Sequence, residues 1–494
     1  MFEDAELGHS IDKATYRREV PPLRDALLEA QFELAQRKDF AVVLLINGVD
    51  GAGRGEAVNT LTAWMDSRYI ETNAMGDPSD EERERPPMWR FWRALPPHGR
   101  IGIFFGNWYT APIIDCVMSR KKHRMAALDR SIEEIRRFER MLAEEGTLLL
   151  KFWYHLSKPA QRKRLKSLER DPRLRWRVTR QDWQRFKLYD EFRAVSERAL
   201  RHTSEAHAPW IVVEGVDERY RNLVTGKTVL EGLQARLQTP AGARAVTPVP
   251  AAPPVDAKDV INTLDLTRKL TDARYGGERE RWQGTLNLLT RHKRFADHSV
   301  VAVFEGNDAA GKGGAIRRVA EAVDARQLRI VPIAAPSDEE KARPYLWRFW
   351  RHLPRQGHLT LFDRSWYGRV LVERVEGFCS EYDWRRAYSE INDFEEEMTR
   401  HGIVVVKFWL AISKDEQLRR FKSREHTSFK HFKITDEDWR NRKKWDQYVA
   451  AVCDMVDRTS TGLAPWTIVP ANDKNFARIK VLKTLCTAME RELD

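Results

Sequence analysis

Phe304-Glu305-Gly306-Asn307-Asp308-Ala309-Ala310-Gly311-Lys312-Gly313-Gly314 joins an apolar, β-branched run, Val300 to Phe304, to a helix-forming stretch that begins Ala315-Ile316-Arg317-Arg318-Val319. Strand, glycine-rich turn and helix in that order are the context of a P-loop. Glycines let successive N–H groups turn inward around a phosphate, the helix N-terminus adds partial positive charge, and Lys312 adds a full one. The candidate phosphate contacts are therefore Gly306, Ala309, Ala310, Gly311, Gly313 and Gly314 with Lys312. Gly313 stands where the common motif has Ser or Thr, so no hydroxyl follows the lysine to hold a metal, and Asp308 is the carboxylate at hand.

The loop occurs twice. Gly48-Val49-Asp50-Gly51-Ala52-Gly53-Arg54-Gly55 overlies Gly306 to Gly313 at an offset of 258 residues, and Pro78 to Trp92 overlies Pro336 to Trp350 at the same offset. After a two-residue shift, Lys151-Phe152-Trp153 matches Lys407-Phe408-Trp409, and Ala208-Pro209-Trp210 matches Ala464-Pro465-Trp466. The chain is a tandem duplication. The expected division is a degenerate domain at 1–237, a linker at 238–257 rich in Pro and Ala, and a second domain at 258–494.

Within each half, strands alternate with helices. In the second, a helix from Thr285 to Phe295 leads into strand Val300 to Glu305. Further strands are expected at Arg329 to Ala334, Leu359 to Phe362, Ile403 to Leu410 and Trp466 to Val469, with helices at Asp383 to Arg400 and Lys414 to Arg424. In the first half, a helix from Arg24 to Arg37 precedes strand Ala41 to Asn47; in the second, Ser337-Asp338-Glu339-Glu340, after the strand Arg329 to Ala334, reads as a capping box. The expected fold class is α/β: a P-loop kinase-like three-layer sandwich with a parallel sheet and a helical lid, duplicated in tandem. Such sheets bind ligands at the carboxyl ends of their strands.

A second carboxylate should end a neighbouring strand, and Leu359-Thr360-Leu361-Phe362-Asp363-Arg364 has that form. Asp363 is a candidate Mg²⁺ ligand beside Asp308, and Arg364 a phosphate contact. The copies part here: Lys312 becomes Arg54, Asp363 becomes Phe105 and Arg364 becomes Gly106, so the second half is the expected catalytic one. The cationic segment holding Arg419, Arg420, Lys422, Arg424, Lys430 and Lys433 reads as a lid over phosphates. Arg343 is a further candidate contact, while Trp347, Phe349 and Trp350 read as core.

The 494 residues carry a net charge of +12, which favours a polyanionic partner. Four dispersed cysteines without paired spacing suggest neither a disulfide framework nor a zinc site. The acidic N-terminus lacks an apolar core and no 18-residue apolar run occurs, so neither a signal peptide nor a membrane partner is expected, and the cytoplasm is the expected location.

Gly306-x-Asp308-x-x-Gly311-Lys312-Gly313, Pro336 to Glu340, Phe362-Asp363-Arg364-Ser365-Trp366-Tyr367-Gly368-Arg369 and Glu373-Arg374-Val375-x-Gly377 together resemble the polyphosphate kinase 2 family across the second half and, in degraded form, the first. That resemblance implies Mg²⁺-dependent phosphoryl transfer between inorganic polyphosphate and a nucleotide. For tandem members it implies phosphorylation of AMP to ADP by the C-terminal copy. Carried onto this sequence, Asp308 binds metal or orients the acceptor phosphate, Lys312 holds the transferring phosphoryl and Asp363 holds Mg²⁺. Arg364, Arg424 and Lys433 neutralise phosphates, and Glu373 is a family-like position without a defined role. The rival readings are an ATP-dependent nucleoside monophosphate kinase and a non-enzymatic basic nucleic-acid-binding protein; intact Lys312, Asp363 and Arg364 argue against the latter, so no nucleic-acid partner is expected. Self-association is left open.

Overall fold

A computed structural model describes residues 1–119, 121–239, 261, 263–426 and 435–493. Each half forms a five-stranded sheet in which every pairing is parallel. The first comprises β1 (Val42–Gly48), β2 (Ile70–Ala74), β3 (Ile101–Phe105), β4 (Leu148–His155) and β5 (Trp210–Glu214), in the order β2-β3-β1-β4-β5. The second repeats it with β6 (Ser299–Gly306), β7 (Leu328–Pro332), β8 (Leu359–Asp363), β9 (Ile403–Ala411) and β10 (Trp466–Pro470), in the order β7-β8-β6-β9-β10. A central parallel strand is covered on both faces, so it reads as one apolar run rather than an alternation. All of β9 is buried, as is β6 up to its terminal glycine.

The helices used below are α1 (Lys13–Arg37), α2 (Arg54–Trp64), α3 (Lys158–Arg170) and α4 (Glu218–Gln238) in the first half. In the second they are α5 (Asp272–Thr290), α6 (Lys312–Ala320), α7 (Glu381–Arg400), α8 (Lys414–Glu425), α9 (Asp436–Lys443) and α10 (Lys474–Leu493). One face of the second sheet, through Val300, Ala302, Phe304, Leu361 and Phe408, packs on Ile316 and Val319 of α6 and Leu482 and Leu485 of α10. Burying each such side chain contributes roughly 1.5–3 kcal/mol. The α1 helix starts eleven residues before the expected Arg24, because the Asp12 carboxylate accepts from the Ala14 and Thr15 N–H groups and Pro21 and Pro22 fall inside the helix. The expected capping box at Ser337 and Glu340 is present, on a helix of only four residues.

By contacts the chain sorts into two compact units that follow the repeat except at two segments. Pro336–Trp347 belongs to the first unit, where the Arg343 Nε donates to the Leu95 carbonyl (3.2 Å) and the His98 N–H to the Ala342 carbonyl (2.8 Å). Ser79–Trp89 belongs to the second, where the Arg85 Nε donates to the Leu353 carbonyl (3.0 Å). Most of the expected linker lies outside the described residues.

On the second sheet's other face lies a buried ion pair. Lys407 Nζ on β9 donates to Glu395 Oε2 of α7 (2.7 Å), the Tyr367 hydroxyl (2.8 Å) and the Thr459 carbonyl (2.7 Å). Glu395 Oε1 accepts from Trp366 Nε1 (3.1 Å) and the Tyr367 hydroxyl (2.6 Å). Burial pushes the Lys407 ammonium down and the Glu395 carboxyl up, and their mutual attraction opposes both shifts. The network pins the turn after β8, and so fixes where Asp363 and Arg364 lie. Lys151, Glu139, Tyr109 and Thr203 repeat it in the first half, so it belongs to the fold. Removing one member leaves an uncompensated buried charge, at about 3–5 kcal/mol. In urea denaturation, Lys407→Met should lose that much stability in the second unit, and a Lys407→Met/Glu395→Gln double variant less; a loss under about 1 kcal/mol in the single variant would contradict a charged pair.

Candidate functional site

The register of β6 with its neighbours sets Phe304 beside Asp363 and Gly306 beside Leu410, so the turn after β6 opens between the ends of β8 and β9. That is the crevice where a doubly wound sheet binds ligands. Gly306 has φ +150°, and a Cβ there would lie 2.4 Å from the Leu410 carbonyl oxygen. Only glycine lets the two backbones approach so closely. Gly311 (φ +111°) caps α6, and Gly313 and Gly314 form its first turn. Lys312 Nζ folds back to the Gly306 carbonyl (2.8 Å).

The turn, Asp363, Arg364 and Arg424 line one cavity of about 560 Å³. Arg317 and Arg318 from α6 and Lys474 and Arg478 from α10 join them, against the carboxylates Asp308, Asp363 and Asp438. Asp308 and Arg364 also border a second, smaller cavity lined by Trp409, Asn441, Trp445 and Tyr448. Between the two cavities, Asp308 accepts from Arg364 Nη2 at 3.4 Å and from Asn441 Nδ2 of α9 at 3.0 Å.

Arg420 corrects one expectation. It was expected to bind phosphate, but it is 4% exposed and its five N–H groups all have protein acceptors. Nη1 donates to the Ala309 (2.9 Å) and Ala310 (2.8 Å) carbonyls, and Nη2 to those of Ala471 (2.7 Å) and Asn472 (2.9 Å). Nε bonds Glu416 (2.5 Å). Arg420 is a brace behind the turn. Arg343 is likewise turned elsewhere, bonded to the Leu95 and Glu339 carbonyls and stacked over Trp347 at 4.3 Å. Glu373 pairs with Arg369 at 3.0 Å and lines neither cavity. Lys430 and Lys433 lie outside the described residues. Asp308, Lys312, Asp363, Arg364 and Arg424 do come together with the loop.

Several contributors escaped sequence reasoning. Lys474 and Arg478, four apart on the first turns of α10, show a spacing that could have flagged them. Glu305, buried at the end of β6, accepts from Ser365 Oγ (2.8 Å); burial pushes its carboxyl up, with Lys312, Ser365 and Arg364 opposing. At the same positions the first half pairs Asn47 with Asn107 (3.1 Å).

The first half's turn keeps the backbone and neutralises itself. Arg54, in the place of Lys312, bonds Asp50 at 2.6 Å. Glu56, in the place of Gly314, accepts from Arg164 (3.2 Å), Arg177 (3.3 Å) and Arg221 (3.0 Å). A carboxylate at a helix N-terminus ringed by three guanidiniums occupies the role a phosphate would have. The backbone strain differs too. Ala309 (φ +64°) and Arg364 (φ +63°) are left-handed non-glycine residues, and their counterparts are Gly51 (φ +82°) and Gly106 (φ +80°). Glu56→Gln removes the carboxylate that faces Arg221, itself 2% exposed. The variant should lose about 1–3 kcal/mol of first-unit stability and regain part of it in millimolar pyrophosphate, with the wild type unmoved. Identical pyrophosphate responses in thermal unfolding would refute the surrogate role.

The polyphosphate kinase 2 family model matches residues 10–240 and 269–494. A protein of Pseudomonas aeruginosa named polyphosphate:AMP phosphotransferase is 59% identical over 491 residues, covering 99% of both chains. A namesake in Pseudomonas syringae pv. tomato is 54% identical, covering 99% of this chain and 98% of its own. A crystal structure of a polyphosphate kinase 2 from Pseudomonas aeruginosa superposes with a TM-score of 0.90 at 57% identity, covering 100% of this chain and 99% of that one. With both halves matched and the doubled sheet shared, the chain belongs to the polyphosphate kinase 2 family.

Proposed function

We propose that the chain transfers the terminal phosphoryl group of inorganic polyphosphate to AMP, giving ADP, the activity for which its full-length relatives are named. One observation carries the choice of donor. The cavity along the loop is lined by cations, three aspartates, glycines and aliphatic or small side chains, with no aromatic ring among its described residues. ATP as donor would need a clamp for its purine there, whereas a phosphate chain needs only charge and N–H groups. The rings lie instead on the far side of Asp308 and Arg364, where Trp445 and Tyr448 suit a nucleoside acceptor. In this state Asn441 holds Asp308, so the acceptor's entry requires α9 to yield.

The donor's terminal phosphoryl lies over the turn, held by loop N–H groups and Lys312. An AMP phosphate oxygen, ionised at neutral pH, attacks its phosphorus. The bond to the bridging oxygen breaks, and the donor leaves one phosphate shorter. Arg364 and Arg424 neutralise the charge on the transferring group, work that dominates phosphoryl transfer. Asp308 orients the acceptor and needs to take no proton. Asp308 and Asp363 are oxygen donors on one cavity, and among the described residues no group of three His, Cys, Asp or Glu forms a cage. That set suits Mg²⁺, which keeps waters and takes phosphate oxygens as its other ligands. Bound there, Mg²⁺ supplies charge neutralisation to the phosphates.

We assign catalysis to 258–494 and a scaffolding role to 1–237, joined by the linker 238–257. Among the described residues no helix is long and apolar enough to cross a membrane, and we place the reaction in the cytoplasm. With Mg²⁺ and AMP, ADP should form from polyphosphate and not from ATP; ADP formed from ATP alone would overturn the donor. Lys312→Ala and Asp363→Asn should each lower kcat by about 10²–10³, measured as ADP release, and an undiminished rate would overturn the site.

A further inference from the structure

The first half's turn is filled by its own Glu56, yet this half carries the more cationic version of the helix after its fourth strand. At the positions of Asp415 and Glu416 in α8, α3 has Pro159 and Ala160, and Arg162 replaces Leu418. Over the shared thirteen positions, Lys158 to Arg170 holds six cations and one carboxylate, where Lys414 to His426 holds five and three.

Lys158, Arg162, Lys163, Lys166 and Arg170 follow helical spacing, so they share one face and extend about 18 Å along the axis. With Phe186 they line a groove of about 840 Å³ that no carboxylate borders. Lys158 pairs with Asp190. Arg162, Lys163, Lys166 and Arg170 are exposed and have no ion-pair partner among the described residues. Like charges four apart destabilise a helix, so the stripe opposes folding unless an outside anion meets it.

We propose that this face of α3 is a second polyphosphate-binding site, an anchoring groove that leaves the chemistry to the other half. A chain with a charge on every unit can meet five cations along one helix face at once, and holding it raises its local concentration. The groove offers a single aromatic ring, whereas single-stranded nucleic acid is held by a succession of rings among the cations. The inference rests on the polyphosphate-donor reading.

The test uses the full chain and the triple variant Arg162→Glu/Lys163→Glu/Lys166→Glu, with a triple alanine variant beside it. Steady-state kinetics with long-chain polyphosphate and with tripolyphosphate separate anchoring from chemistry. The expected result is a KM for the long chain raised at least about tenfold in the charge reversal and less in the alanine variant, with kcat and the KM values for tripolyphosphate and AMP unchanged. An unchanged long-chain KM, or equal losses with both donors, overturns the groove while leaving the donor reading intact. A wild type that uses ATP and no polyphosphate overturns the donor reading, and the groove with it. If the wild type retains single-stranded RNA more tightly than polyphosphate of equal phosphate number, and the triple variant releases it, the groove serves nucleic acid and the proposal falls.

Discussion

The phosphate-binding turn of the candidate site is held from behind by one guanidinium, that of Arg420. Arg420 reaches from α8 to the carbonyls of Ala309 and Ala310 on one side and of Ala471 and Asn472 on the other. With these carbonyls turned onto Arg420, and the Asn307, Ala310 and Gly314 N–H groups bonded to the Leu410, Asn307 and Gly311 carbonyls, the amides of Asp308, Ala309, Gly311, Lys312 and Gly313 are left for an anion. A planar fork with five fixed donors can do this; an ammonium with three rotating donors cannot hold four carbonyls and a carboxylate in one plane.

The twin halves show two versions of one turn. The fold is retained, together with the close approach of Gly48 to Tyr154 and the buried lysine–glutamate pair. What changed is who supplies the negative charge. In the second half the cations of the loop face a cavity; in the first, Asp50 and Glu56 draw them in. The first turn still has cations around it, Arg54, Arg164, Arg177 and Arg221, although Gly106 stands where the second half has Arg364. It also has a carboxylate at the helix start, Glu56, where the second half has Gly314.

Much of this was legible in the sequence. The glycine pattern, the apolar run before it and the doubling of both named the fold, and the absence of counterparts to Lys312, Asp363 and Arg364 from one copy is the ground on which we assign catalysis to the other. The failures have one cause. Arg420, Arg343 and Arg424 are alike as letters, and nothing local tells a cation that faces solvent from one consumed by carbonyls. Arg420 is sealed by α8 packing against the loop after β10, and Arg343 by a segment that sorts with the first unit. Both depend on contacts distant in sequence. Glu305 was hidden by its context, since a carboxylate ending an apolar strand looks like the edge of the strand rather than a buried partner of Ser365.

The left-handed residues Ala309 and Arg364 set the two copies apart in backbone strain. Each side chain held at positive φ costs about 1–2 kcal/mol that glycine does not pay, and glycine gives back only part of this through its looser unfolded chain. Gly51 and Gly106 spare the first copy that strain. An arginine in place of Gly106 would bring the strain at once, beside Phe105 rather than a counterpart of Asp363. Backbone strain is thus carried in the copy where Asp363 and Arg364 stand together, and spared in the copy where both are missing.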